Sequence, residues 1–215
     1  RLADRPAQDA AHGQLPVSAA STLRRADAVR AILAEAPGPV VAVGDDDAST
    51  LALDRAGVPA LHAVDIDPRI RAFLREASEG RVTTHAADVL AGPVPPPLRR
   101  ACAVALTDPF RDLDGALGFA TFAAACVRRD PPGRLLWVDH PEWNLEHALV
   151  QKTLAALGWR LERTFEDLHD YPLSPATVGL PALQRAWAPR LDPAWLAALV
   201  DASRAWSHLH VLAPR

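Results

Sequence analysis

Short apolar runs alternate with segments of helical period along this chain, and that alternation limits what it can fold into. "VVAV" (40–43), "ALHAVDID" (60–67), "RVTTHAAD" (81–88), "ACAVALTD" (101–108) and "GRLLWVDH" (133–140) have the length and branching of strands. Between them, "ASTLALDRAG" (48–57), "PRIRAFLREASEG" (68–80), "LDGALGFATFAAACVRR" (113–129) and "EWNLEHALVQKTLAALG" (142–158) read as helices. Such alternation predicts an α/β fold: a doubly wound, mainly parallel sheet with helices on both faces.

The ends of the chain are less regular. "STLRRADAVRAILAEA" (21–36) is predicted as a helix capped by Ser21, with Leu23, Ala26, Val29, Ile32 and Leu33 inward and its arginines solvated. "WRLERTF" (159–165) alternates as a half-exposed strand, and "EDLHDYPLSPATVGLPAL" (166–183) reads as mostly irregular. "DPAWLAALVDASRAW" (192–206) is predicted as a helix and "HLHVL" (208–212) as a closing strand. The expected organisation is a lead-in and helix over 1–37 and the α/β region over 38–215, one domain overall.

Composition narrows the partners. A net charge of −3 gives no global reason to expect nucleic acid, and no run of apolar residues is long enough to span a membrane. The two cysteines, Cys102 and Cys126, lie in apolar runs, so buried free thiols and a reducing cytoplasm are expected. Lys152 is the only lysine and Asn144 the only asparagine, a skew expected of GC-rich, bacterial coding. The chain begins at Arg1 and contains no methionine, which points to a trimmed N-terminus.

In a parallel sheet, ligands bind beyond the carboxyl ends of the strands. Here every one of those ends carries an acid: Gly44-Asp45-Asp46-Asp47 after the first, Asp65 and Asp67 at the second, Asp88 at the third, Asp108-Pro109-Phe110 at the fourth and Asp139-His140 at the fifth. Any single one of them could cap a helix, and Asp47 is as well placed to do that as to bind a ligand. Together they disfavour a phosphate ligand, and neither a GxGxxG nor a P-loop pattern is present. An acid ending strand two accepts from ribose hydroxyls in such folds, which assigns a nucleoside to Asp65. The remaining acids call for a cation. A nucleoside beside positive charge describes a sulfonium donor, S-adenosylmethionine or its decarboxylated form, and three aspartates favour the form without a carboxylate.

"GQLPVSAASTLRRADAV" (13–29), "VVAVGDDDAST" (40–50), "AVDIDPRI" (63–70) and "ALTDPF" (105–110), in this order, resemble the branched-chain polyamine synthase family, the N4-bis(aminopropyl)spermidine synthases. The resemblance covers roughly residues 13 to 172 and implies a class I methyltransferase-like Rossmann fold. It implies an aminopropyltransferase that moves aminopropyl groups from decarboxylated S-adenosylmethionine to a polyamine and releases methylthioadenosine; from the residues themselves no metal is expected, with a divalent ion on the clustered acids as the lesser alternative. Gly44, Asp45, Asp65, Asp67, Asp88 and Gln14 are then the expected cofactor-binding residues, Asp65 holding ribose and Asp88 meeting the adenine. Asp108 is expected beside the reacting amine as the proton acceptor, with the Asp45–Asp46 pair on the cationic chain. Asp46, Asp47, Pro109, Phe110 and Trp143 are expected to meet the acceptor, with Glu166, Asp170 and Tyr171 on an acidic loop that closes over it. The family has Pro where this chain has Phe110, and its members are longer, with an N-terminal winged-helix-like domain.

Two other readings stay open: a methyltransferase using intact S-adenosylmethionine on a small amine, and a non-catalytic binder of polyamines or nucleosides. His140, His147, His169, His208 and His210 offer metal ligands, but no third ligand is evident at a recognisable spacing, so ordinary half-buried histidines are expected. Trp187, Trp195 and Trp206 are expected in core or interface packing rather than in a cage for a cation, and a homodimer is expected.

Overall fold

The structure, a computed structural model, describes residues 4–7, 9, 14, 15, 17–109, 112–139, 147–173, 192–201 and 203–215. Helix α1 (Ala19–Glu35) precedes β1 (Val40–Val43), α2 (Ser49–Arg55), β2 (Leu61–Asp65), α3 (Pro68–Ala77) and β3 (Val82–Ala86). A short 3-10 turn over Pro96–Leu98 leads to β4 (Val104–Thr107), α4 (Leu113–Cys126), β5 (Arg134–Asp139) and α5 (His147–Ala156). Strand β6 (Trp159–Pro172), helix α6 (Pro193–Asp201) and strand β7 (Arg204–Pro214) complete the chain.

These strands form one seven-stranded sheet in the order β3-β2-β1-β4-β5-β7-β6. β1 to β5 are mutually parallel, and β7 runs antiparallel to both β5 and β6. This is the Rossmann-like class I methyltransferase fold. Register keeps the parallel strands level, since Val43 lies opposite both Val64 and Thr107, and Thr107 opposite Trp137. The chain turns outward in opposite directions from the β1/β4 pair, which makes that pair the topological switch point.

Alternation along each strand divides the core in two. Val40, Leu61 and Val104 pack with α1, α2 and α3 on one face, while Val41, Ala105 and Leu135 pack with α4 and α5 on the other. The N-terminal helix is thus a member of the sheet's covering layer. Cys102 and Cys126 are buried free thiols, and burial pushes them up to about 11 and about 12.

Three expectations give way here. Ser18, not Ser21, caps α1, and Leu23 is 55% exposed because the inward face runs through Thr22, Arg25, Val29 and Ile32. The stretch 166–172, expected to be irregular, continues β6 after a register shift between Phe165 and His169, with Asp167 at φ +48 in the irregularity. The helix expected to reach 206 ends at Asp201, and residues 204–206 begin β7. In both C-terminal cases, backbone partners on the neighbouring strands override weak local preference.

Candidate active site

The β1–α2 turn answers why three aspartates follow one another. Gly44 takes φ +71, a conformation that L side chains avoid, and a Cβ there would meet the Phe119 ring at 2.8 Å. That turn aims Asp45 back into helix α2. The Asp45 carboxylate accepts from the backbone N–H of Ser49 at 2.7 Å and of Thr50 at 3.2 Å, and from the Thr50 hydroxyl. Asp45, 1% exposed, therefore satisfies the orphan donors at the start of α2, the capping task that Asp47 had seemed equally placed to do. Asp45 as half of a cation-binding pair, or as a catalytic group, is corrected: its oxygens are turned onto the helix. Burial pushes its carboxyl up to about 7 despite those hydrogen bonds.

Asp47 turns the other way, onto helix α1. Its carboxylate accepts from the Val17 N–H at 2.7 Å and from Arg25 at 2.6 Å. Arg25 is 2% exposed, so the expectation that the arginines of this helix are solvated fails at this residue. Its guanidinium also donates to Asp108 Oδ2 at 2.8 Å and, through Nε, to His169 Nε2 at 3.0 Å. Because that ring nitrogen accepts, Nδ1 carries the proton and donates to Ser207 Oγ at 3.2 Å. Ser207 lies 3.0 Å from the Tyr171 hydroxyl, which donates to Asp108 Oδ2 at 2.8 Å. Arg25, His169, Ser207, Tyr171 and Asp108 thus close a hydrogen-bonded ring, with its donors directed towards Asp108. Burial alone would lower the pKa of Arg25, but Asp47 and Asp108 raise it, and burial with the charges of Arg25 and Arg24 holds His169 well below the ordinary histidine range.

Asp46 is the one member of the triple acid without a structural hydrogen bond among those described, and it is half-buried at the switch point. Withdrawal from water, then the charges of Asp47, Asp108 and Asp65, hold its carboxyl well above the ordinary range, with Arg5 opposing. Asp65, 7% exposed, accepts from the backbone N–H groups of Asp45 at 3.1 Å and Asp67 at 2.8 Å, and burial raises its pKa. Asp67 is corrected from cofactor ligand to helix cap. It is fully buried, accepts from the Arg69 N–H, and is bound by the Arg69 guanidinium and by Gln14 at 3.0 Å. Those bonds, Arg69 foremost, hold Asp67 below the usual carboxylate range. Gln14 is brought to this corner through Asp67.

The remaining expected residues scatter. Asp88 is exposed and caps its own turn through Leu90 and Ala91. Pro109 is buried behind Asp108, whereas Phe110, Trp143 and His140 lie outside the described residues. Glu166 is exposed on β6. Asp170 accepts from Ser18, Ser21 and Arg24 and so docks the start of α1 onto β6. Burial would raise its carboxyl, but these partners hold it below the ordinary range. Tyr171, expected on the closing loop, is 1% exposed, and its hydroxyl donates to Asp108. The closing acidic loop is therefore a strand with inward anchors. Trp195 and Trp206 are 56% and 44% exposed, which overturns core packing for both, while Trp187 lies outside the described residues.

Sequence reasoning missed Arg25, His169 and Ser207. A signal for Arg25 was present, because Thr22, Arg25, Val29 and Ile32 follow one another at three- and four-residue steps and share a helix face. His169 and Ser207 gave none, since the bulge and the β6–β7 register decide where they point. His147 and His210 converge with Asp139, a juxtaposition that spacing along the chain had not revealed.

Two outcomes follow from these electrostatics. Arg25→Ala leaves Asp47 and Asp108 facing each other uncompensated, so chemical denaturation should show a loss of roughly 3–5 kcal/mol. A loss below about 1 kcal/mol, typical of a surface pair, would contradict the buried bridge. Burial holds the Asp45 pKa at about 7 in the folded protein, against 3.8 for an aspartate in water, so its contribution is present below pH ~4 and lost as pH rises through ~7. Asp45→Asn keeps an accepting oxygen and removes that loss. Its melting temperature relative to the parent should therefore rise between pH 5 and pH 9, and a difference independent of pH would sink the assignment.

No family model matches this chain, and no curated protein does. Solved structures do. The branched-chain polyamine synthase from Thermus thermophilus, in complex with N4-aminopropylspermidine and 5'-methylthioadenosine, superposes with TM-score 0.76 at 21% identity over 99% of this chain. This chain spans 60% of that synthase's length. A TehB-like S-adenosylmethionine-dependent methyltransferase from Corynebacterium glutamicum follows at TM-score 0.57 and 14% identity, covering 96% of this chain and 91% of its own. Magnesium protoporphyrin IX methyltransferase from Synechocystis, with bound S-adenosylmethionine, gives TM-score 0.55 at 14% identity, over 91% and 80% of the two chains. The likeness read in the motifs is thus matched by a likeness of fold to a polyamine synthase and to class I methyltransferases.

Proposed function

We propose that this chain transfers an aminopropyl group from decarboxylated S-adenosylmethionine to an amine of a polyamine, releasing methylthioadenosine. The observation that carries the reading is the uncompensated negative charge at the switch point. Arg25 brings one positive charge to two acids, Asp47 and Asp108, and Asp45 is spent on α2, so Asp46 is left crowded by acids, a repulsion that a bound cation would relieve. A donor with an α-carboxylate would meet repulsion from Asp46, whereas one ending in an ammonium would relieve it. The fold supports a donor of the S-adenosylmethionine type, because the polyamine synthase and the methyltransferases share it. Asp65, held at the end of β2, keeps acceptor capacity for ribose hydroxyls after accepting from two backbone N–H groups.

The chemistry is an in-line displacement. The amine lone pair attacks the carbon next to the sulfonium sulfur, the C–S bond breaks, and sulfur keeps the electron pair as a neutral thioether. Presenting an alkylamine of pKa ~10 unprotonated at pH 7 costs roughly 4–5 kcal/mol. Asp108 orients the amine and receives its proton, with Arg25 and Tyr171 fixing the carboxylate through Oδ2. Tyr171, Ser207 and His169 act as positioning residues behind it. Asp46 holds the cationic end of a substrate.

Incubation with decarboxylated S-adenosylmethionine and spermidine, read by mass spectrometry, should yield methylthioadenosine and an aminopropylated amine. Appearance of S-adenosylhomocysteine from intact S-adenosylmethionine, without the first products, would establish methyl transfer instead. Calorimetry should show tighter binding of the decarboxylated donor, a preference that Asp46→Asn weakens. Asp108→Asn should keep donor binding while turnover falls by about 100-fold or more; unchanged turnover would remove Asp108 from the reaction.

A further inference from the structure

We propose that Asp139, His147 and His210 form a site for a divalent transition ion of the zinc class, separate from the residues assigned to donor and amine. The three side chains come from three elements: the end of β5, the first residue of α5 and the middle of β7. Their ligand atoms all lie within 4.8 Å of one another. Two imidazoles and a carboxylate match the donor set that zinc takes, whereas calcium and magnesium favour oxygen ligands alone.

His210 gives the second observation. It is 4% exposed; its Nδ1 lies 2.9 Å from Thr164 Oγ1, and its Nε2 is buried with no hydrogen-bond partner among the described residues. A buried ring nitrogen left unsatisfied is uncommon in a folded protein and asks for an explanation. Donation from Nδ1–H to Thr164 leaves a lone pair on Nε2, the arrangement that orients a metal-binding histidine through its outer nitrogen.

The other two ligands are held as well. The His147 ring stacks on Trp137 at 5.3 Å and 19°, and its Nδ1 is hydrogen-bonded to Asp139 Oδ2. Donors around a tetrahedral ion with bonds of about 2.1 Å stand roughly 3.4 Å apart, so the rings draw together on binding. An ion here exchanges the Asp139–His147 hydrogen bond for coordinate bonds and gives His210 Nε2 its partner. It would fasten the head of α5 to β5 and β7, one strand away from Asp108.

Calorimetric titration of the chelator-treated full chain with Zn2+ at neutral pH should show about one ion bound per chain, with micromolar or tighter affinity. His147→Ala and His210→Ala should each weaken binding by roughly 100-fold or more, exceeding the effect of losing an outer partner. His62→Ala, in the separate His62–His85 pair, should leave the affinity unchanged. Zn2+ should raise the unfolding temperature of the parent and not of His147→Ala, a comparison that carries the test should His210→Ala fail to fold. Absence of binding in the parent, binding unaffected by both substitutions, or binding lost in His62→Ala would overturn the site.

Discussion

The guanidinium of Arg25 is the charge around which this end of the molecule is assembled. It is almost fully buried, and burial of a cation is tolerable only where acids and acceptors surround it. Asp47 from the β1–α2 turn, Asp108 from the end of β4 and His169 from β6 supply those partners. One side chain on α1 therefore ties three parts of the sheet together. Without it, the carboxyl ends of β1 and β4 would place two acids in mutual repulsion. With it, Asp108 keeps a paired charge and a fixed direction, as the role proposed for it would require.

The three consecutive aspartates then divide their labour. Asp45 faces the helix that follows, Asp47 faces the helix that precedes, and Asp46 between them faces the switch point. Neighbouring residues in a tight turn point in different directions, so a run of identical side chains need not act as a single patch. Of the three, Asp46 is the one whose carboxyl is pushed up by withdrawal from water and by the acids around it, and the proposed cation site rests on it. This sharpens the sequence reading, in which Asp45 and Asp46 were expected to hold the cation and Asp47 was as well placed to cap a helix as to bind.

The fold was legible in the sequence wherever one element carried its own periodicity. The five parallel strands and the helices between them announced themselves through buried branched runs and through Gly and Pro punctuation. The C-terminal hairpin did not, because residues 166–172 and 204–206 are extended only by virtue of partners distant in sequence. The site was legible as a row of acids, since strand ends in a parallel sheet are level by construction. What each acid does was not, because a carboxylate that caps a helix and one that awaits a ligand look alike as letters. Asp45, Asp67 and Asp170 were separated from Asp46 only by the donors that the fold brings to them. Arg25 was misread for a different reason: arginine's usual preference for solvent outweighed its place on the inward face of α1.

The placement of β7 has a consequence for how this molecule comes into being. That strand is not at an edge; it is inserted between β5 and β6, and it carries Ser207, which supports Tyr171. The sheet cannot be completed in the order in which the chain is synthesised, because β6 emerges first and must wait for a later segment to join it to β5. Contacts of such long sequence separation slow folding and leave an unpaired strand exposed in the interim. Residues 204–214 therefore act as a latch: the scaffold behind Asp108 is finished only when the last strand slides into its slot.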